Sequence, residues 1–234
     1  MQTPRNAARS NRVLSSLEGH DYALLSPHLS PVDLPLRKTL ETANRAIEHV
    51  CFVEQGFVSV VGVDQGRSIE IGLIGREGMT GVAVVMGVNR TPYKSFVQAA
   101  GRGQQIPAAN LTRAMDKSAD LRQALLRYCH TFMVQTANTA VVNGCRKIDE
   151  RLARWLLMAH DRIGRDSIPL THEFLGIMLG VRRAGVTVAL QLFEDKNLIS
   201  AQRGVIAVRD RRGLETIAGS GYGGPEAEFD RVFR

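Results

Sequence analysis

One short stretch of this 234-residue chain holds the side chains whose types and spacing suit a defined chemistry. Arg183, Thr187 and Gln191 recur at i, i+4 and i+8, with Arg182, Ala184 and Val188 beside them. On a helix that spacing makes one face. The face opens cationic and continues with small and apolar groups. An arginine fork matches guanine O6 and N7, and small apolar groups fit a thymine methyl, so the pattern suits the major groove of a duplex. The plain alternative is a solvated arginine pair on an ordinary helical hairpin, and the surrounding elements weigh against it.

Those elements form a complete positioning frame. Thr171 is a good N-cap for a helix running to about Leu179, and Gly180 sits where a left-handed residue stops it. A second helix follows over 182–195, with Val186, Ala189, Leu190 and Phe193 at i, i+3, i+4 and i+7 facing a core. So short a connection makes the two helices cross steeply. Two β-prone runs, 198–199 and 205–208, then flank a Gln202-Arg203-Gly204 turn and predict a hairpin whose tip residue, Arg203, can meet a phosphate. Thr171, Arg182, Arg183, Ala184, Thr187, Val188, Gln191 and Arg203 make up the predicted nucleic-acid face.

Composition sets the outer limits. A net charge of +7 favours an anionic partner, and 44% hydrophobic with 23% charged residues is ordinary globular composition. Cys51, Cys129 and Cys145 are too far apart for a CxxC or zinc pattern, which suits a reducing compartment with thiols used as small apolar groups. No metal site or cofactor is expected. No apolar leader opens the chain, and its longest uncharged apolar run, near 81–88, is too short to span a bilayer, so a soluble, cytoplasmic protein is expected. The motifs GxSxG, HExxH, a Walker loop and GxGxxG after a strand are missing from the sequence, which argues against an enzyme.

Before the two-helix segment the chain has two textures. Short helices over 11–25 are broken at Gly19 and Ser26-Pro27. From 48 to 107, β-prone runs at 50–54, 57–63, 69–74, 82–86 and 95–99 are cut by glycine, with turns expected at Gln55-Gly56 and Gln65-Gly66. After Pro107 helices are predicted over 108–115 and 119–143. The longer one has a wide apolar face, either the core of a monomer or a surface shared with a partner helix. Its candidate dimerisation residues are Leu121, Leu125, Cys129, Phe132 and Thr136. A further amphipathic helix carries Ile148, Leu152, Trp155, Leu156 and Ala159. The domain boundary is set at 143–146 with Gly144 as hinge; the tail is glycine-rich over 219–224, and the last ten residues are expected to be loosely held.

The segment LTHEFLGIMLGVRRAGVTVALQLFEDKNLISAQRG resembles the winged helix-turn-helix of the Crp/Fnr transcription regulators, down to its LFEDKNLIS ending. NRVLSSL, HVCFVEQGFVSVV and IGREGMTG are similar to their cyclic-nucleotide-binding-type β-roll. The resemblance implies an α+β chain: an N-terminal double-stranded β-roll within 10–143, a long dimerisation helix within about 108–143, and a C-terminal winged helix-turn-helix over 144–218. It implies double-stranded DNA, a second copy of the chain and RNA polymerase as partners. Of the family's base-reading positions, one arginine falls on Arg183, the glutamate on Ala184 and a second arginine on Val188, so the usual half-site is not carried over. In the phosphate cassette GMTGVAVVMG, Val82 stands at the carboxylate position and cannot bind a ribose hydroxyl. Cyclic AMP is therefore not expected as effector, and the effector stays unknown. A regulatory module acting through protein contacts without DNA is the alternative reading.

Overall fold

The computed structural model describes residues 10–202 and 204–234. Two short helices open it, α1 (Arg12–Ser16) and α2 (Gly19–Leu25). Asn11 caps α1 through its side-chain oxygen. Its amide, fully buried, donates to the carbonyls of Val53 (2.8 Å) and Gly78 (2.7 Å), pinning the N-terminal helices to the sheet. The strands are β1 (Ser30–Leu34), β2 (Thr39–Glu41), β3 (His49–Asp64) and β4 (Arg67–Ile74). A short helix α3 (Val82–Val85) and strand β5 (Lys94–Pro107) complete this half. They make one antiparallel sheet in the order β1-β5-β3-β4, with β2 also on β5. With α4 (Ala108–Lys117) and α5 (Ala119–Cys145) packed against it, this is the expected β-roll and long helix.

Two expectations for the roll need correction. The runs 50–54 and 57–63 are one strand, and Gln55-Gly56 is a bulge within it instead of a turn. Gly56 has φ +74°, and a Cβ there would collide with the Ala99 carbonyl, so only glycine lets β3 and β5 stay paired. The bulge also changes the parity of the strand. Cys51 and Val53 before it share a cluster with Val58 and Val60 after it, while Phe57 and Val61 point to the opposite face. The run 82–86 is helix instead of strand: it follows the left-handed Gly81 and is too short to betray its period. The Gln65-Gly66 turn is present, both residues at positive φ between Asp64 and Arg67.

The helix α5 starts at Ser118, whose hydroxyl accepts from the Leu121 amide at 3.1 Å. It runs through Gly144, so the break falls at Arg146, not at the glycine. Leu121, Leu125 and Cys129 are buried in the chain's own core with α1, α4 and the roll, and are corrected as partner-facing residues. Phe132 and Thr136 are half-buried on the same side. The apolar residues α5 leaves exposed instead include Leu126, Met133, Ala137, Ala140 and Val141.

The C-terminal half begins with α6 (Ile148–Ile163), stopped by Gly164 at φ +66°. It continues through β6 (Ser167–Pro169), α7 (His172–Leu179), α8 (Arg183–Asp195), β7 (Ile199–Gln202), β8 (Val205–Val208) and α9 (Arg211–Ala218). β6 pairs with β8, giving the hairpin a third strand. The tail is not loose. It forms α10 (Gly224–Val232), which lies along α5 with Phe229 buried, Phe233 stacked on it at 4.5 Å and the Arg12 guanidinium over its ring. Two aromatic anchors thus outweigh the glycine-rich entry.

Candidate nucleic-acid interface

The helix pair α7–α8 is bent by 111° across its connection. The Thr171 hydroxyl accepts from the Phe174 amide at 3.2 Å and starts α7. Gly180 ends it at φ +62°, and the Val181 amide closes back on the Gly176 carbonyl at 2.9 Å. A Cβ on Gly180 would sit 2.6 Å from Ile69 Cδ1, so the same glycine also lets the turn approach β4. On the inner side of α8, Val186, Ala189, Leu190 and Phe193 are buried in the cluster that holds α6 and α7. The frame read from the sequence is therefore the frame observed.

The outer side of α8 is open. Arg182 is its N-cap residue, and Arg182, Arg183, Ala184, Val188 and Gln191 are exposed, Val188 at 66%. Neither arginine side chain has a partner among the described residues. The first turn of α8 has no acidic residue, so two cations add to the positive end of the helix dipole. Thr187 is half-buried and differently placed. Its hydroxyl donates to the Arg183 carbonyl (3.1 Å) and lies 3.2 Å from His172 Nδ1, tying α8 to the start of α7. The Thr171 hydroxyl is likewise engaged as a cap. The predicted hairpin-tip residue Arg203 lies outside the described residues. The hairpin around it is fixed by the Leu170 amide on the Gly204 carbonyl (2.7 Å) and the Ala201 amide on Glu194 Oε1 (2.7 Å).

This arrangement of caps, steep helix pair and three-stranded hairpin is matched over residues 150–217 by the family model of the Crp-like helix-turn-helix domain. That segment is a Crp-like helix-turn-helix domain. Solved structures extend the likeness to most of the chain. A protein of Eubacterium rectale assigned to the Crp/Fnr family shares 20% identity at TM-score 0.71, over 89% of this chain and 98% of that one. TTHB099, a CRP-family regulator of Thermus thermophilus, shares 20% at 0.68, over 81% and 97%. FixK2 of Bradyrhizobium japonicum shares 15% at 0.70, over 82% and 98%. No curated protein matches in sequence. The chain thus has the fold of these Crp/Fnr structures around its Crp-like domain. Among the described residues, no single helix is long and apolar enough to cross a membrane.

The Crp-like domain is not free of the roll. Trp155 of α6 packs edge-on against Phe57 at 6.3 Å, and its indole N–H donates to Glu70 Oε1 at 2.6 Å. The Ser59 hydroxyl donates to Glu70 Oε2 at 2.6 Å and lies 3.3 Å from Gln98 Oε1. Burial pushes the Glu70 carboxyl up to about 7, against the pull of the Ser59 and Trp155 hydrogen bonds and the charges of Arg154 and Arg162. Nearby, Arg162 of α6 pairs with Glu77 of the roll at 2.7 Å, and Phe174 of α7 packs edge-on against Phe96 at 6.1 Å. Glu70 and Arg162 were not singled out in the sequence. An isolated carboxylate in a β-prone run and an arginine near a helix end carry no signal until the two halves meet.

The phosphate-cassette stretch is satisfied from within. The Gly81 amide, at the start of α3, donates to Glu41 Oε1 at 2.9 Å, and the Ser95 hydroxyl donates to the other oxygen of the same buried carboxylate. The inner face of the roll is filled by Leu34, Cys51, Val53, Val58, Val60, Ile74 and Val97. Cys51 and Cys129 are buried, and burial pushes each thiol up to about 12, which leaves them unreactive as nucleophiles.

Proposed function

We propose that the chain is a homodimeric transcription regulator that sets α8 of each protomer into the major groove at one half of a palindromic operator. The observation that carries this reading is the exposed Arg182-Arg183 start of α8, unpaired and backed by a fully buried inner face. Arg183 reads guanine, Ala184 and Val188 touch thymine methyls, and Gln191 lies further along the same face. Thr171 and Thr187 position the helix pair more than they read bases. Arg203 at the hairpin tip is assigned to a phosphate on sequence grounds.

The dimer forms along α5. Leu126, Met133, Ala137, Ala140 and Val141 lie exposed on one side of that helix, Leu126 at 43% and Met133 at 57%, bordered by His130, which bonds Glu228 of α10. Their spacing is that of a helix seam. Two-fold symmetry about it presents two α8 helices to half-sites about one turn of DNA apart. RNA polymerase is then the partner that responds to the bound dimer, in the cytoplasm, and the protein acts by binding and not by catalysis. The internal Glu41 carboxylate on Gly81 and the apolar filling of the roll support an effector other than cyclic AMP.

Selection of bound duplexes from a random pool should return a palindrome with guanine in each half-site. Arg183→Ala should cost about 1–3 kcal/mol and relax preference at that base alone. A particle that stays monomeric and holds no duplex at low ionic strength would leave the reading without support, and would favour action through protein contacts.

A further inference from the structure

Glu70 of β4 sits where the Crp-like domain docks on the outer face of the roll. Its partners there are Ser59 of β3, which also meets Gln98 of β5, and Trp155 of α6. Glu70 is 5% exposed and Trp155 3%, so the closed seam keeps water from the carboxyl. The rest of the contact is largely apolar: Phe57 against Trp155, Phe96 against Phe174, and Ile69 beside Gly180.

The hydrogens available there favour one form of the carboxyl. The Ser59 hydroxyl has a single hydrogen and faces two acceptors, Glu70 Oε2 at 2.6 Å and Gln98 Oε1 at 3.3 Å. With Glu70 ionised, one of those acceptors goes without it. With Glu70 protonated on Oε2, the carboxyl donates to Ser59, Ser59 donates to Gln98, and the Trp155 indole N–H still donates to Oε1. Cations do not fill the gap. Arg162 is committed to Glu77 and the Met158 carbonyl, and Arg154 donates to the Thr139 hydroxyl. Among the described residues neither arginine pairs with Glu70, and their charges reach it only from a distance. Burial is the stronger influence and holds the carboxyl up at about 7.

We infer that Glu70 is a proton-sensitive clasp between the two halves: its protonated carboxyl holds the Crp-like domain on the roll, and its ionised carboxylate lets the domain swing away about the break at Arg146. In the closed seam the carboxylate is a buried charge without a counter-ion, and opening gives it water. The closed seam therefore holds the proton more tightly than the open one. Closure is favoured below about pH 7 and weakens as pH rises through that value, with an opening constant that grows toward about a few hundredfold. The helices α7 and α8 share one core with α6, so they travel with it and the proton sets where α8 stands. The consequence for operator binding rests on the function proposed above, but the clasp itself does not.

The test is acrylamide quenching of Trp155, the single tryptophan, in the full chain without DNA between about pH 5.5 and 9. Quenching should rise severalfold through about pH 7 while the far-ultraviolet dichroism holds constant, because the domain moves without unfolding. Glu70→Gln places an amide N–H where the carboxyl proton sits, so its tryptophan should stay protected at every pH. His160→Gln, which removes the histidine of α6, should keep the parent's profile. A parent whose quenching is flat over this range overturns the inference. So does a Glu70→Gln profile that matches the parent's, a profile abolished by His160→Gln, or a rise that tracks loss of helix signal. Should Glu70→Gln fail to fold, small-angle scattering of the parent decides: its radius of gyration should grow over the same interval, and a constant radius overturns the clasp. Since DNA is absent, a protein that holds no operator can still pass or fail this test, so the two readings fail separately.

Discussion

The inside of the β-roll and the seam between the roll and the helix-turn-helix half are both buried, yet they are built from different chemistry. The roll interior is apolar, and its nearby polar device, Glu41 between Gly81 and Ser95, is closed on itself. The seam holds a carboxyl fully out of water at Glu70, a buried ion pair at Arg162–Glu77 and a buried donor, Arg162 Nε, without a partner among the described residues. An apolar interior has one low-energy state. Buried ionisable groups have two, and their balance follows pH, charge and ligands. The contrast places any responsiveness of this protein at the seam, next to the helices that present α8.

The comparison breaks most visibly at Trp155. Trp155→Ala should cost about 3–5 kcal/mol in urea unfolding, because it removes a buried ring and leaves Glu70 Oε1 without its donor, with only Ser59 still bonded to the carboxyl. A loss near 1 kcal/mol, the size of an ordinary surface change, would mean that the seam is not a cohesive joint.

The pH dependence is next in size. The Glu70 carboxyl titrates near 7 in the folded chain and near its ordinary 4.5 when unfolded. Between those values the folded state holds the extra proton, so stability falls as pH rises through the window. Above about 7 the full cost, on the order of 3 kcal/mol, is present, and below 4.5 it vanishes. Ser59, Gln98, Trp155, Arg154 and Arg162 surround the group, and the single tryptophan reports on it directly. Glu70→Gln should flatten both the stability profile and the Trp155 fluorescence titration over this range. A variant that titrates like the parent would move the proton elsewhere.

The smallest effect belongs to the roll. Glu41→Gln keeps an acceptor for the Gly81 amide and turns its NH2 toward the Ser95 hydroxyl, which can rotate to accept, so about 1 kcal/mol or less should be lost. Added cyclic AMP should leave Tm unchanged in parent and variant alike. A Tm that rises with the nucleotide would reopen the roll as the sensor.

Much of the fold and of the interface was legible in the residues. Thr171, Gly180 and the Val186–Phe193 spacing specify α7, the turn and α8, because caps and periodicity act over a few residues. The Gln65-Gly66 turn was legible for the same reason. Where the reading failed, the deciding contact came from far along the chain. Gln55-Gly56 looked like a turn, but it is a bulge because β5 pairs across it. The tail looked loose, but Phe229 and Phe233 find α5 and Arg12. Leu121, Leu125 and Cys129 looked available to a partner, and only the folded roll shows that they are already covered.

By itself the sequence determined the local grammar of this protein: where most of its helices and strands lie, how the helix pair is capped, and which side of α8 is cationic. Tertiary structure alone decided which apolar face of α5 stays open, which carboxylates are buried and which arginine donors lack a partner. The reason is one of range. Caps, turns and periodicity depend on neighbours within a turn or two, whereas burial and electrostatic environment depend on what distant segments bring against a side chain.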